Sequence, residues 1–469
     1  MDAVWAFYCV RGGIVKAKKT YPVEQIEMKN RHMSFWDMFA TWVGANANNG
    51  TWYIGGVIAA CGLILATKVL VTSSVLSYLL LSLVGFMGYA TGISTMALTR
   101  SSFGVRGSYI PSLINMIQFI GWTAVNTFIA ATSLSIIFHD LFGWKIYDAT
   151  NNTGWLGVVV GILVMSILHL ISVSMGERSV QLIERVGIIF VIGFVIWESI
   201  VVFKTVSFDQ LVKWVVPKAE RLSAGNAMDI LAAFNLAWVT AGADFTRFTS
   251  KKKTATHAPF WGALIGVLWF ALIGVVSTIS IAITLGSFDP NNSDPSTIAN
   301  KLGLGVIAMI VIVLTSTTAN AANLMAAASA VNNIFHKVKL KPALWIVTIL
   351  ATIVTFIPLL VGSFLDTFEA FLNYIGMILG PMISIMITDF YLLHHRKYDV
   401  HQLTVSRGKY WYQDGFNIAA FIIWIMAIIV YNLLSKVEFI ANYTGATFIV
   451  MLFTAIVYYG VQKMILKEK

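Results

Sequence analysis

Asn46, Asn48 and Asn49 crowd into the run Gly44-Ala45-Asn46-Ala47-Asn48-Asn49-Gly50, in the middle of a stretch otherwise apolar enough for hydrocarbon. Glycine and asparagine are poor helix formers, and irregular backbone at membrane depth survives only where it lines a cavity or is buried in protein. A second weak zone runs from Asn235 through Ala237, Trp238 and Thr240 to Gly242. Between the two, Trp122 and Asn126 are one helical turn apart and share a face. An indole next to an amide that both donates and accepts suits the reading of a flat heterocycle; the other reading is a packing or interfacial tryptophan. A further polar run, Thr315-Ser316-Thr317-Thr318-Ala319-Asn320-Ala321-Ala322-Asn323, offers hydroxyl and carbonyl oxygens. At a helix break these would suit a desolvated sodium ion, a hard cation that prefers oxygen; otherwise they serve hydrogen bonding between helices.

Charged groups at depth are few. Asp244 and Arg247 close the second weak zone and are placed to pair with each other. Glu198 is the carboxylate to consider for proton relay, against a simpler role at the interface. His169 reads as a hydrogen-bonded core histidine, and His394-His395, beside Arg396-Lys397, as part of a solvated loop. No glycine-rich nucleotide loop, metal-ligand cluster or catalytic triad stands in the sequence, which argues against a pump ATPase or a membrane enzyme. Cys9 and Cys61 make no disulfide framework.

The elements that must position these groups are membrane helices. Of 469 residues 58% are hydrophobic and 12% charged, about half the charge of a soluble protein. Apolar runs reach the roughly 20 residues needed to cross hydrocarbon, where only helices satisfy their own backbone. Twelve spans are expected, near 35–66, 71–99, 108–138, 154–175, 181–204, 226–248, 257–286, 302–335, 342–362, 366–393, 416–434 and 440–466. An even count puts both ends on one side, and that side collects 24 of the 32 basic residues. By the positive-inside rule both termini are cytoplasmic, so the net charge of +10 records topology and not a nucleic-acid partner. Residues 1–14 differ from all that follows and hold no confident signal peptide, and translation is expected to start near Val15. The two weak zones occupy equivalent places if spans 1–5 and 6–10 are two halves, the pattern that points to the site of an inverted-repeat transporter.

At these residues the sequence resembles the nucleobase:cation symporter-1 family, which includes cytosine, purine, allantoin, hydantoin and hydroxymethylpyrimidine carriers. The resemblance runs from about residue 33 to 435 and is carried by Arg100 to Pro111, Asp244-Phe-Thr-Arg-Phe248, Ala321-Ala-Asn-Leu324, Gly380-Pro381 with Asp389-Phe-Tyr391, and Gly408 to Asn417. It implies an all-α membrane protein with a five-plus-five inverted repeat of the leucine-transporter type and two added C-terminal helices. The chain then divides into an N-terminal segment 1–33, halves at 34–204 and 205–397, and a last part at 398–469. The resemblance also implies that Trp122 stacks on the substrate ring, that Asn126 is its amide partner, and that Asn48 and Asn323 face the substrate. Ungapped counting back from Asp244 puts Asn235 where hydantoin permease has a second stacking tryptophan; Trp238, three residues on, has the spacing of the hydroxymethylpyrimidine carriers and is the favoured contact, with Ala237 beside it. Sodium ligands in the sodium-coupled members correspond to the carbonyls of Gly44, Ala47 and Leu314 and the hydroxyls of Thr317 and Thr318.

The expected function is secondary active import of a nucleobase or related heterocycle, best matched by cytosine or another pyrimidine such as hydroxymethylpyrimidine. Sodium is favoured over proton as the coupling ion, and no cofactor is required. The alternatives are a purine, allantoin or hydantoin symporter of the same family, or an uncoupled facilitator or channel. The partners are the small heterocycle and the lipid of the plasma membrane, with no nucleic acid; a monomer suffices, although the sequence leaves the oligomeric state open.

Overall fold

The computed structural model describes residues 23–148, 153–174, 192–289, 293–335 and 337–467. The start near Val15, Cys9, Arg178, Arg185 and the first part of span five lie outside the described residues. Ser34 opens α1 (Phe35–Asn46) with a reciprocal capping box to Asp37. The helix stops at Ala47, and Asn48 restarts the chain as the N-cap of α2 (Asn49–Ile58), its side-chain oxygen accepting from the Thr51 N–H at 3.1 Å. The first expected span is therefore two half-helices.

After Gly62, whose φ of +75° permits the turn, α3 (Leu63–Thr91) crosses back, and a short α4 (Thr95–Phe103) leads to α5 (Tyr109–Phe142) and α6 (Trp155–Ser174). Helix α7 covers 192–205 and is followed by the short α8 (Phe208–Lys213). The sixth expected span is again divided, α9 (Ala224–Val239) ending at Thr240 and α10 (Gly242–Thr246) beginning after Ala241. Then come α11 (Lys252–Leu285), α12 (Pro295–Lys301), α13 (Gly305–Ile334), α14 (Leu340–Thr355), α15 (Ile357–Val361), α16 (Phe364–Thr388), α17 (Ile418–Leu434) and α18 (Thr447–Lys467). Among the described residues, eight helical segments are long and apolar enough to cross a membrane, and the apolar α17 is shorter.

Three expectations are corrected. The limits 35–66 and 71–99 misplace the second span, because the apolar run is continuous across Gly62 and hides the turn; residues 95–99 belong to the buried α4. The polar run of span eight involves no break. Helix α13 is continuous because Thr315 and Thr317 donate to the carbonyls of Val311 and Val313, one turn back, and so neutralise their own polarity. Finally, Asp244 does not pair with Arg247 through its carboxylate: it accepts from Ser329 Oγ and from the Thr95 N–H, while Arg247 reaches Glu24 at 3.5 Å.

Both halves of the first span lie on α11, where glycines let backbones approach. A Cβ on Gly262 would meet the Phe39 carbonyl at 2.6 Å, one on Gly266 the Val43 carbonyl at 2.9 Å, and one on Gly274 the Trp52 carbonyl at 2.0 Å. Helix α13 packs along α5, α3 along α9 and α11, and α16 against α9 and α18. The two described ends of the chain share a face: Gln25 bonds the Thr91 carbonyl, and Gln462 bonds Asn417, which holds the Ser102 carbonyl.

Candidate substrate and cation sites

The break between α1 and α2 faces the middle of α5. Gly50 N–H, in the first turn of α2, donates to Asn126 Oδ1 at 3.3 Å. A Cβ there would meet Asn48 Oδ1 at 3.1 Å, Asn126 Oδ1 at 3.6 Å and the Phe234 ring at 3.9 Å, so Asn48 and Asn126 converge on one point. Asn48 is occupied as a clasp for the break itself, its Nδ2 donating to the Ala45 carbonyl at 2.6 Å while its oxygen caps α2. Asn49, which the sequence reading left without a role, ties α2 to α13 by donating to the Ile312 carbonyl at 2.7 Å and to Ser316 Oγ at 2.9 Å. Ser316 in turn donates to the Asn126 carbonyl.

Trp122 is buried and meets Phe234, Phe368 and Phe371 at centroid distances of 5.1, 5.9 and 5.2 Å, each edge to face. Among the described residues none lies parallel on the indole, and its Nε1–H has no acceptor. Asn126 Nδ2 returns to the Trp122 carbonyl, which fixes the amide one turn from the ring. Asn323 donates to Asn320 Oδ1, and its own Oδ1 is buried with no donor. Asn320 is anchored to Thr123, Thr127 and His169, so His169 is the hydrogen-bonded core group expected.

At the second break the two candidates separate. Asn235 is fully buried and turned to α3, donating to Ser74 Oγ at 3.2 Å and facing the Tyr78 hydroxyl at 2.9 Å. Tyr78 also reaches Asn46 at 2.6 Å, so one hydroxyl links both broken spans. Trp238 lies edge to face with Trp42 and tilted against Phe119, at 6.0 and 5.6 Å. The Ala237 carbonyl accepts from Gln118 Nε2 at 3.3 Å and from Thr240 Oγ1 at 2.6 Å. Gln118 keeps a buried Oε1 with no donor. The sequence reading passed over it, although Gln118, Trp122 and Asn126 recur every fourth residue on one stripe of α5, a signal legible in the spacing.

Ala47 stands outside both half-helices at the first break. Thr317 and Thr318 donate to the carbonyls of Val313 and Thr315. A hydroxyl that donates its proton back along the helix keeps its lone pairs free for a cation, so these oxygens fit a sodium ligand set. The carbonyls of Gly44 and Leu314 would complete that set, although both residues lie within helices α1 and α13.

A cavity of about 730 Å³ opens on the face that carries the chain ends, lined in part by His32, Asp244, Arg247, Ala322, Ser329 and Asn332. Ala322 brings its inner end to within one residue of Asn323. On the opposite face the first break is roofed: Tyr53 packs on Phe364 and Phe368, and Phe364 stacks on Phe128. Beside the cavity-bearing face, His394 is folded in and not solvated, its ring 3.3 Å from the buried Asp389, which also holds Ser101, Tyr398 and Tyr458. Burial alone would lower the His394 pKa, but its bonds to Asp389 prevail and hold it above the ordinary histidine value.

With this geometry the chain matches known proteins along nearly its whole length. The family model for permeases of cytosine/purines, uracil, thiamine and allantoin matches residues 25–459. The allantoin permease of Bacillus subtilis (strain 168) is 25% identical over 413 residues, 81% of this chain and 80% of that one. The purine-uracil permease NCS1 of Arabidopsis thaliana is 25% identical over 464 residues, 92% of this chain and 75% of that one. In structure, the inward-facing form of Mhp1 superposes with a TM-score of 0.77 at 17% identity, covering 96% of each chain. The closed form of Mhp1 with bromovinylhydantoin bound gives 0.75 at 16% identity, over 94% of this chain and 95% of that one. The fold is thus the leucine-transporter type expected, in a multi-pass membrane protein that is a permease and not an enzyme. The chain belongs to the family of permeases for cytosine/purines, uracil, thiamine and allantoin, the nucleobase:cation symporter-1 family.

Proposed function

We propose that this permease imports a nucleobase or related heterocycle across the plasma membrane by sodium-coupled symport, with both termini cytoplasmic. The best-matched cargo is cytosine or another pyrimidine such as hydroxymethylpyrimidine. One observation carries the reading: among the described residues the Trp122 indole has no parallel partner, and the buried acceptors Gln118 Oε1 and Asn323 Oδ1 have no donor. A buried acceptor left unpaired costs about 1–3 kcal/mol, so a ligand bearing N–H groups would be drawn to them. A flat heterocycle with amino or ring N–H edges satisfies both requirements, and Asn126, Asn48 and Trp238 complete its surroundings. Purines, allantoin and hydantoins share those edges and remain the alternative cargo.

For the coupling ion, the support is the lone pairs left on Thr317 and Thr318 of α13, the helix to which Asn49 ties the first break at Ile312 and Ser316, and a break whose Ala47 belongs to neither half-helix. Sodium there would order the break against α13, and an ordered break presents Asn48 and Gly50 to the cargo. Each ligand then favours the same state, and the linkage is reciprocal. One helix bundle then rocks against the other about the fixed site, exposing it by turns.

Competition by cytosine, uracil, hypoxanthine, allantoin, hydantoin and hydroxymethylpyrimidine against one labelled cargo in proteoliposomes identifies the substrate. Accumulation against a gradient should collapse when sodium is removed. Persistent accumulation that follows pH would replace sodium with proton, and mere equilibration would make the protein a facilitator. Thr318→Ala should raise the sodium concentration for half-maximal uptake several-fold, in line with about 1 kcal/mol for a neutral polar contact. An unchanged sodium dependence removes Thr318 from the cation site.

A further inference from the structure

Glu198 lies in α7, outside the proposed substrate and cation sites. It is fully buried, and among the described residues neither of its carboxyl oxygens has a hydrogen-bond partner within bonding geometry. It stands seven positions before the end of α7 at 205, about 10 Å along the axis. Its surroundings come from α2 and α11. The ring of Phe194, one turn earlier, packs on Trp52 of α2 at 5.6 Å. Trp52 Nε1 donates to Ser277 Oγ of α11 at 3.2 Å, and the Ser277 hydroxyl is the polar group beside the Glu198 carboxyl.

Ser277 has a single proton, and it goes to the Ile273 carbonyl at 2.6 Å. That hydroxyl is thus already engaged with the helix backbone, and it is a single neutral group, too little to hold an ionised carboxylate. Among the described residues of these elements no cation stands beside it. The basic groups of α11 are Lys252, Lys253 and His257, and His257 is about 30 Å away along the helix; α2 carries none, and its Tyr53 faces Phe364 and Phe368. On α7 itself, Lys204 is near the helix end. An uncompensated buried carboxylate is heavily penalised, whereas the neutral acid can donate its proton to Ser277 Oγ.

There is also a path of hydroxyls. Ser277, Ser280 and Thr284 follow one face of α11 at steps of three and four residues toward its C-terminal end. The Ser280 hydroxyl is buried without a partner, and Thr284 is exposed. That end belongs to the face opposite the cavity, where α2 packs against α11 at Gly55 and Gly274 and against Ser293 at Gly56. We propose that Glu198 is a proton-binding site, protonated in this cavity-open state and exchanging its proton with the opposite face when that face opens. A sodium ion is a poor occupant, because a hard cation needs a shell of oxygens and Ser277 supplies the one neighbouring oxygen described.

The exchange, though not the proton site itself, rests on the transport reading above. Infrared spectra of the full-length protein in liposomes at pH 7 should show a protonated-carboxyl stretch that is lost in Glu198→Gln; absence of such a wild-type-minus-variant band overturns the site. Should Glu198→Gln fail to fold, Glu198→Asp keeps the acid and should displace the band, and a band unmoved by that change also overturns it. In the same vesicles, uptake of labelled cytosine at fixed sodium should vary with pH in wild type and lose that dependence in Glu198→Gln. Identical profiles overturn the exchange. Failure of every heterocycle in the competition panel to enter wild-type vesicles would count against the transport reading and leave the infrared result standing.

Discussion

The two faces of this permease are built from the same helices yet differ in what closes them. On the closed face, α2 meets α11 backbone to backbone, a Cβ on Gly55 lying 2.1 Å from the Ala271 carbonyl and one on Gly274 2.0 Å from that of Trp52, and aromatic rings roof the break. On the open face α1 also lies on α11, at Gly262 and Gly266, but a cavity of about 730 Å³ opens between α1 and α10 on one side and α4 and α13 on the other, with side chains such as Glu24 and Arg247 at its rim. Close packing at glycines has no give, since interiors are as dense as organic crystals, whereas long charged side chains re-pair at little cost. A carrier that must seal one face and release the other gains from that asymmetry. Between the faces, Tyr78 links the two broken spans through Asn46 and Asn235.

The largest effect is expected from Gly274→Val. Two methyl groups cannot fit where even a Cβ meets a carbonyl at 2.0 Å, and overpacking costs about 1–3 kcal/mol, occasionally more. The closed face should therefore be forced open and uptake reduced roughly 100-fold, while the protein still reaches the membrane. Wild-type uptake at normal membrane abundance would mean that the glycine seal does not govern the cycle. Next in size is Trp122→Ala, which removes a stacking surface worth about 1–3 kcal/mol. Substrate affinity measured by binding should fall about 5- to 150-fold, and an unchanged affinity would remove Trp122 from the site.

The membrane class and the broken spans were legible because both follow from local composition. Twenty apolar residues need no partner to be read, and three asparagines with two glycines break a helix wherever they stand. The amide stripe Gln118–Trp122–Asn126 was half read, since its period was visible but Gln118 looked like an ordinary polar residue until its Oε1 proved to be buried without a donor. The direction of a side chain was not legible. Asn235 turns to Ser74 and Tyr78 because α3 packs on α9, and nothing within the sequence of α9 encodes that neighbour. Burial of Glu198 and His394 was hidden for the same reason: both sit near expected span ends, and long-range packing by α2 and α11 in one case and Asp389 in the other covers them.

A smaller effect tests the framework that carries the open face. His394 donates to Asp389, whose carboxylate also receives Ser101, Tyr398 and Tyr458. Because the folded-state pKa of His394 is raised above its ordinary value, the ion pair stabilises the fold at pH values below that of a free histidine, about 6.5. The contribution is lost as pH rises through the folded pKa. Melting temperatures of wild type and His394→Gln should differ most at low pH and converge as the medium becomes alkaline. A gap that is constant across pH would assign His394 a packing role alone.

The least effect is expected from Glu24→Gln on the open face. The carboxylate of Glu24 is 71% exposed and 3.5 Å from Arg247, so the pair is largely screened and worth about 0–1 kcal/mol. Arg247 has a second hold, donating to the Asp244 carbonyl at 3.3 Å, and the N-terminal segment has its own, through Ile26 N–H on the Gly92 carbonyl and Arg31 on that of Tyr89. Uptake in Glu24→Gln should therefore stay within about fivefold of wild type, and the difference should disappear in high salt, which screens exposed pairs. A drop as large as that from Gly274→Val, persisting in salt, would mean that the open face is latched by specific charge pairing and that the contrast between a rigid seal and a loose one is mistaken.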